Sequence, residues 1–338
     1  MVEKIAVLGA GSWGSMLANI LVENGNEVRL WSYKQSQVDE LNNKHTNEKY
    51  IKDFTYPKEL VAYADMKEAI RGVDDILFVV PAQVTRSTAK QVNEILEELD
   101  MKVNIIHGSK GIEQKTYKRM SEVLADEIDE SHRKSISVIS GPSQAESVAK
   151  HDITLVTTAS ENIKDAEHIQ SLFINDYFRV YTNDDIIGVE IGAALKNIIA
   201  IGAGALYGLG YADNAKAALM TRGLAEISRL GTSFGANPLT FTGLSGFGDV
   251  IVTATSSDSR NWRAGYQLGK GETLDDIVKN MGMVIEGIAT AEAAYELANQ
   301  RGIDMPITSA IYKVLHKEIT IDAAISQLMH RKGRAELD

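Results

Sequence analysis

The sequence predicts an α/β fold, a doubly wound and mostly parallel sheet, followed by an all-α domain. Three observations carry that expectation. Short apolar runs alternate with helix-period segments through the first half, a glycine-rich turn follows the first of those runs, and the strand pattern stops after about Asn183.

Lys4–Leu8 reads as a strand, Ser12–Glu23 as a helix and Glu27–Trp31 as the next strand. Residues 76–80, closed by Pro81, read as another strand and 84–98 as a helix. Apolar runs at Val103–His107, 136–140, 153–158 and 178–181 complete the strands. Strands alternating with helices imply right-handed crossovers and a largely parallel sheet covered on both faces. Helical patterns then take over at 187–207, 212–234, 274–280, 287–301 and 309–315, with no convincing strand among them. The chain therefore divides into a dinucleotide-binding domain, 1–185, and a helical substrate-binding and catalytic domain, 186–338. Gly188 and Gly192 lie one turn apart, so another backbone can approach there. No repeat or low-complexity linker separates the halves, so they are expected to pack closely. Glycine-lined helices are compatible with a homodimer, and equally with packing inside the chain.

A length of 338 residues suggests two domains at roughly one per 150 residues. Apolar residues make up 44% and charged residues 24%, the profile of a globular chain rather than a disordered one. A formal net charge of −11 argues against nucleic acid or an anionic membrane as partner, but not against a small anion held by a few local cations. The chain has no cysteine, which excludes disulfides and thiolate metal sites and fits a cytoplasmic location. No segment is read as reaching the roughly 18 apolar residues of a membrane span, and the N-terminus lacks a basic leader with a long apolar core. The seven histidines are scattered without ligand spacing, so no metal is expected.

G-A-G-S-W-G, Gly9 to Gly14, matches G-x-G-x-x-G between a strand and a helix, the Rossmann-type context for a dinucleotide. Gly9 permits the tight turn, Gly11 lets a pyrophosphate approach the backbone, and Gly14 allows close helix–strand packing. The helix N-terminus offers N–H groups and positive dipole to the phosphates. The end of the second strand, V-R-L-W-S-Y-K, lacks the carboxylate that binds a ribose 2′-hydroxyl. Ser32, Tyr33 and Lys34 could instead hydrogen-bond or charge-pair a 2′-phosphate, which favours NADP while leaving NAD open.

Reducing a ketone with a nicotinamide needs a hydride donor, a proton for the developing alkoxide and positive charge near the oxygen. Lys196 stands in I-G-A-A-L-K-N-I-I-A-I-G-A-G-A-L with no carboxylate one helical turn away and no obvious solvent side. A snorkelling lysine is the plain alternative. A desolvated one has a depressed pKa and becomes an acid–base group, and Asn197 beside it could orient a substrate oxygen. Lys110, in G-S-K-G after a strand, is placed to project into the cofactor crevice or into solvent. I-S-G-P-S, Ile139 to Ser143, ends another strand with backbone N–H and hydroxyl groups. In G-F-G-D-V-I-V-T-A-T-S-S-D-S-R-N, Ser257, Asp258 or Ser259 would suit a helix N-cap, with Arg260 and Asn261 in the first turn. Such a terminus couples an anion site to a guanidinium able to hold phosphate bidentately. Asp249 has no evident partner there unless it is the counter-ion of a buried lysine.

Together G-A-G-S-W-G-S-M-L-A, H-G-S-K-G-I-E, V-I-S-G-P-S, G-A-A-L-K-N-I-I-A-I-G-A-G, T-R-G-L-A-E, G-D-V-I-V-T and S-R-N resemble the bacterial NAD(P)-dependent glycerol-3-phosphate dehydrogenases, from near the N-terminus to about Pro306. The resemblance implies reduction of dihydroxyacetone phosphate to sn-glycerol 3-phosphate, the backbone precursor of phospholipids. It implies Lys196 as catalytic acid/base and Lys110 against both cofactor and substrate. Gly141, Ser143, Asp249, Ser259, Arg260 and Asn261 would surround the substrate, with Arg260 also near the cofactor. Ser12, Trp13, Tyr33, Ala145, Val284 and Glu286 match cofactor positions, and Lys34 and Tyr50 are expected to join them. Asn26 stands where the family often has histidine, and Tyr33 where histidine or arginine is common. Two rivals remain at this stage: a ketopantoate or β-hydroxyacid reductase on the same plan, and a non-catalytic dinucleotide sensor.

Overall fold

The computed structural model describes residues 2–333, 335 and 336. Eight strands form one sheet: β1 (Lys4–Leu8), β2 (Glu27–Trp31), β3 (Val61–Tyr63), β4 (Asp75–Phe78), β5 (Val103–His107), β6 (Arg133–Ser140), β7 (Thr154–Ser160) and β8 (Phe178–Asn183). Their order is β3-β2-β1-β4-β5-β6-β7-β8. The first six follow the doubly wound order, whose switch point lies between β1 and β4. Seven helices accompany the sheet: α1 (Ser12–Glu23), α2 (Gln35–Lys44), α3 (Met66–Ile70), α4 (Thr85–Glu98), α5 (Met120–Glu127), α6 (Ala145–Val148) and α7 (Ile163–Phe173).

All strand pairs are parallel except β6 with β7, where Ser137 faces Ser160. The reversal follows from the connection. Residues 141–153 hold only the single turn of α6, too little to return the chain to the far end of the sheet as a parallel crossover requires. The segment therefore stays at the carboxyl end of β6. Strand β3 and helix α2 escape the periodicity reading for local reasons. β3 is three residues long with one of them buried, and α2 is polar, burying only Gln37, Val38 and Leu41.

From Ile186 onward the described elements are helical: α8 (Ile186–Gly208), α9 (Asp213–Ser233), α10 (Asp249–Thr255), α11 (Arg260–Gly269), α12 (Leu274–Met281), α13 (Glu286–Arg301), α14 (Pro306–Leu315) and α15 (Ile321–Met329). A 3-10 turn spans Pro238–Thr242 and a π-helical turn Leu244–Gly248. Helix α8 is the axis of this half. Its Ile191, Leu195, Ile198, Ile199 and Ile201 sit in the helical core, and its Ile186 and Val189 pack with Val138 and Ala159 of the sheet.

One sequence expectation needs correction. By length and composition α8 does reach the standard of a membrane span, but 89% of its apolar window is buried inside the protein. It is the core helix of the second half, apolar all round because other elements surround it. The glycines that made a homodimer plausible are also used within the chain. A Cβ on Gly204 would stand 2.0 Å from the Trp262 carbonyl oxygen, and one on Gly265 1.9 Å from that of Ile201, so α8 and α11 meet backbone to backbone. Gly192 meets the π-turn in the same way: a Cβ there would stand 2.7 Å from the Ser245 carbonyl oxygen.

Candidate active site

A cleft of about 700 Å³ opens where the carboxyl ends of β1, β4 and β5 face α8, α10 and α11. The fingerprint forms its floor. Gly9 has φ +118°, and a Cβ there would meet the Val79 carbonyl oxygen at 2.6 Å. A Cβ on Gly14 would lie 1.9 Å from the Gly9 oxygen. Gly11 differs: nothing lies within 4 Å of its Cβ position, and the N-terminus of α1 has no side-chain cap. Two glycines are thus consumed by packing, and the third leaves open space in front of uncapped N–H groups. That arrangement fits a dinucleotide pyrophosphate. The Ser12 hydroxyl donates to the Tyr50 carbonyl (3.2 Å), drawing the 45–51 loop against the helix terminus.

At the end of β2 the hydroxyl of Ser32 is already engaged. It donates to Gln37 Oε1 (2.6 Å) and accepts from the Lys34 N–H (3.3 Å), so it is not free for a phosphate as the sequence suggested. Tyr33 is 73% exposed, with Lys34 Nζ 5.2 Å above its ring. These two side chains and Tyr50 remain at the cleft.

The charged centre joins three segments distant in sequence. Lys196 is 5% exposed and Asp249 1%. The Lys196 ammonium donates to Asp249 Oδ1 and to the Thr253 hydroxyl at 3.0 Å. Lys110 Nζ donates to Asp249 Oδ2 (3.2 Å) and to the Gly141 carbonyl (3.3 Å). Asp249 is therefore the counter-ion that the sequence left conditional, shared between two lysines. Burial pushes the Lys196 pKa down, Asp249 opposes that and Lys110 adds to it; the result is about 7. A lysine near 7 holds or releases its proton at neutral pH, as a general acid or base must.

The local backbone explains why Asp249 arrives there. The G-L-S-G-F-G stretch folds as a π-turn leading directly into α10. A wide π-turn lets the chain pack beneath Gly192 and start α10 with Asp249 facing Lys196 one turn further along α8. Thr253 lies four residues after Asp249, on the same face of α10. Sequence reasoning did not single it out, although the D-x-x-x-T spacing was legible once that stretch is helical.

Asn197 Oδ1 accepts from Asn261 Nδ2 (3.0 Å), whose own Oδ1 accepts from the Gly287 N–H (2.9 Å). This chain locks α8, α11 and α13 together beside the lysine. Of the three proposed caps of α11, Ser259 is the one: its Oγ accepts from the Trp262 N–H at 3.2 Å. Arg260, first in that helix, donates to the Val284 carbonyl (2.8 Å), and both line the cleft. Glu286 accepts from the Ala82 N–H (3.3 Å), and burial raises its pKa. Ser143 and Ala145 line the cleft beside Gln144 and Glu146. Gly141 is not among the lining residues; its carbonyl serves Lys110 and its Ser143 neighbour's hydroxyl (3.0 Å) instead. Among the described residues no group of three or more His, Asp or Glu could hold a metal ion.

Comparison with known proteins agrees over almost the whole chain. Residues 4–166 match the family model of the NAD-dependent glycerol-3-phosphate dehydrogenase N-terminus, and residues 185–326 that of its C-terminus. A glycerol-3-phosphate dehydrogenase [NAD(P)+] of Levilactobacillus brevis is 66% identical over 99% of this chain and 100% of its own. The Enterococcus faecalis protein of the same name is 58% identical over 99% of this chain and 98% of its own. The crystal structure of glycerol-3-phosphate dehydrogenase from Coxiella burnetii superposes with TM-score 0.91 at 38% identity, covering 98% of this chain and 99% of that one. With a dinucleotide floor, a buried lysine–carboxylate centre and full-length relatives in agreement, the chain belongs to the NAD-dependent glycerol-3-phosphate dehydrogenase family.

Proposed function

We propose that this chain reduces dihydroxyacetone phosphate to sn-glycerol 3-phosphate with NAD(P)H, reversibly, supplying the glycerol backbone for phospholipid synthesis, and that Lys196 is its general acid. The observation that carries the proposal is the Lys196 ammonium, buried between Asp249 and Thr253 in the wall of the dinucleotide cleft. When bound, the nicotinamide supplies the hydride for the carbonyl carbon. As charge develops on the carbonyl oxygen, Lys196 Nζ passes it a proton and becomes the neutral amine. Asp249 and the Thr253 hydroxyl keep that nitrogen aimed and stabilise its charged form, and Lys110 adds positive charge beside the oxygen. In the oxidative direction the neutral amine takes the alcohol proton back.

Lys110, Gly141, Ser143, Asn197, Asp249, Ser259, Arg260 and Asn261 form the substrate group in this reading, with Gly141 acting through Lys110. Arg260 faces the phosphate, assisted by the capped terminus of α11. Gly9, Gly11, Ser12, Trp13, Gly14, Tyr33, Lys34, Tyr50, Lys110, Ala145, Arg260, Val284 and Glu286 form the cofactor group. NADPH is favoured because β2 ends without a carboxylate and with Lys34 at the cleft. In this reading 1–185 is the dinucleotide-binding domain and 186–338 the helical substrate-binding and catalytic domain, with Lys110, Gly141 and Ser143 reaching the substrate from the first and Arg260, Val284 and Glu286 the cofactor from the second. A cytoplasmic location belongs to the same reading, from the cysteine-free composition.

The decisive assay is oxidation of NADPH by purified protein offered dihydroxyacetone phosphate beside unphosphorylated ketoacids. Turnover of the ketoacids alone would overturn the assignment. Two further outcomes follow. With a lysine near 7, kcat for reduction should fall as pH rises through that region, because the acid form is lost, while kcat for oxidation should rise through it. Parallel profiles in both directions would contradict a single proton-transferring group. Arg260→Ala should raise KM for dihydroxyacetone phosphate about 30-fold or more, the loss of one or two charge-assisted hydrogen bonds at ~1.5–3 kcal/mol each. Loss of NADPH binding with unchanged substrate KM would place Arg260 elsewhere.

A further inference from the structure

Six residues before Lys196 on the same helix lies a second buried charge, Glu190, 5% exposed. It touches neither the cleft nor Lys196. Its Oε1 accepts from the Ser121 N–H (2.7 Å), and its Oε2 from the Ser121 hydroxyl (2.6 Å) and Arg119 Nη1 (2.6 Å). His107 Nε2 lies 3.1 Å from Oε1. These partners come from one continuous stretch: His107 ends β5, Arg119 precedes α5 and Ser121 lies in its first turn. Between them runs the loop that carries Lys110.

That loop belongs to the sheet half by sequence but not by packing. Its Ile112 is 2% exposed within the helical core, with Tyr117 packed against the same cluster. Gln114 Nε2 donates to Glu292 Oε2 of α13 (2.7 Å). Glu190 thus holds both ends of the Lys110 loop to the helix that bears Lys196. Such an ionic contact is poor value as stability alone, because both charges must be desolvated. Burial pushes the Glu190 carboxyl up, but His107, Arg119 and Ser121 outweigh it and hold it at about 2, so it stays ionised at any working pH.

We infer that Glu190 is a positioning residue for the reaction: by fixing the loop ends at His107 and Arg119–Ser121 to α8, it sets the placement of Lys110 against Asp249 and Lys196. The inference rests on the catalytic reading of Lys196 given above. Its removal lets Lys110 withdraw from Asp249. The carboxylate then acts more fully on Lys196, and Lys196 loses the neighbouring positive charge that favours its neutral form.

The test is Glu190→Gln, which keeps shape and removes charge, assayed with NADPH and dihydroxyacetone phosphate across pH. The expected result is a fall in kcat of tenfold or more at neutral pH and a displacement of the alkaline limb of reduction to higher pH. A lower Tm with kcat and the pH limb of the folded enzyme unchanged would overturn the inference, leaving Glu190 a structural contact. Should Glu190→Gln fail to fold, Ser121→Ala removes one hydrogen bond from the same carboxylate. It should displace the limb in the same direction with a two- to fivefold fall in kcat, and an unmoved limb there overturns the inference equally. Lys196→Ala, run in parallel, separates the two claims: turnover surviving that change refutes the catalytic reading itself, whatever Glu190 does.

Discussion

Replacing Lys196 with alanine is expected to lower kcat by about a thousandfold or more while leaving NADPH binding nearly intact. Loss of a positioned general acid costs on the order of 10²–10⁴ in rate, and here it also removes one of two positive charges from beside the reacting oxygen. The proposed cofactor floor is built elsewhere, from Gly9, Gly11 and Gly14 and the uncapped start of α1, so binding should persist. Trp13 lines the cleft, and its fluorescence quenching by NADPH gives the readout. The fold should survive because Asp249 keeps Lys110 as a partner at 3.2 Å. Lys196→Met, closer in volume, separates lost chemistry from a cavity: it should be as inactive and more stable. Substantial kcat in either variant would end the assignment.

The second large effect is expected from Asp249→Asn. It removes the carboxylate that holds the two lysine ammoniums together, and breaking a buried pair in this way typically costs ~3–5 kcal/mol. Lys196 can escape part of that cost by giving up its proton. Its pKa should therefore fall below the value of about 7 that it has beside Asp249, since the carboxylate is what raises it. Reduction at neutral pH should drop roughly a hundredfold, the alkaline limb should move to lower pH, and Tm should fall by several degrees. Oxidation, which uses the neutral amine, should suffer less. The displacement is opposite in sign to that expected of Glu190→Gln, so the pair of variants tests the charge arrangement from both sides. A pH profile for Asp249→Asn that coincides with the parent's would mean that the carboxylate does not control the lysine.

Much of this architecture is legible in the amino-acid sequence. The β1–α1–β2 unit emerges with its bounds because strand, glycine turn and helix each carry a strong local signal. Helix α8 emerges because a long apolar run without a break is unambiguous, and Lys196 because a single cation in that run needs a reason. The misses have equally physical causes. The Leu244–Gly248 stretch carries two glycines and looks like a turn; it becomes a π-turn because it packs against Gly192 and beneath Phe241, whose carbonyl oxygen would lie 2.2 Å from a Cβ on Gly246. Nothing local encodes that contact. Glu190 went unremarked although it sits in I-I-G-V-E beside the same apolar run, where a buried carboxylate raises the same question as a buried lysine. The reversal at β7 depends on what the 141–153 connection can span, a property of the sheet and not of any one segment.

The sequence by itself therefore determined the glycine fingerprint between β1 and α1 and singled out the lysine proposed as the acid, because each rests on interactions within about a dozen residues or on one residue conspicuously out of place. Only the tertiary structure decided what makes that lysine useful. Lys110, Asp249 and Lys196 come from three separate segments, and their mutual distances depend on how β5, α8 and α10 pack. A pKa is set by burial and by charges a few ångströms away, and neither quantity exists until the chain is folded.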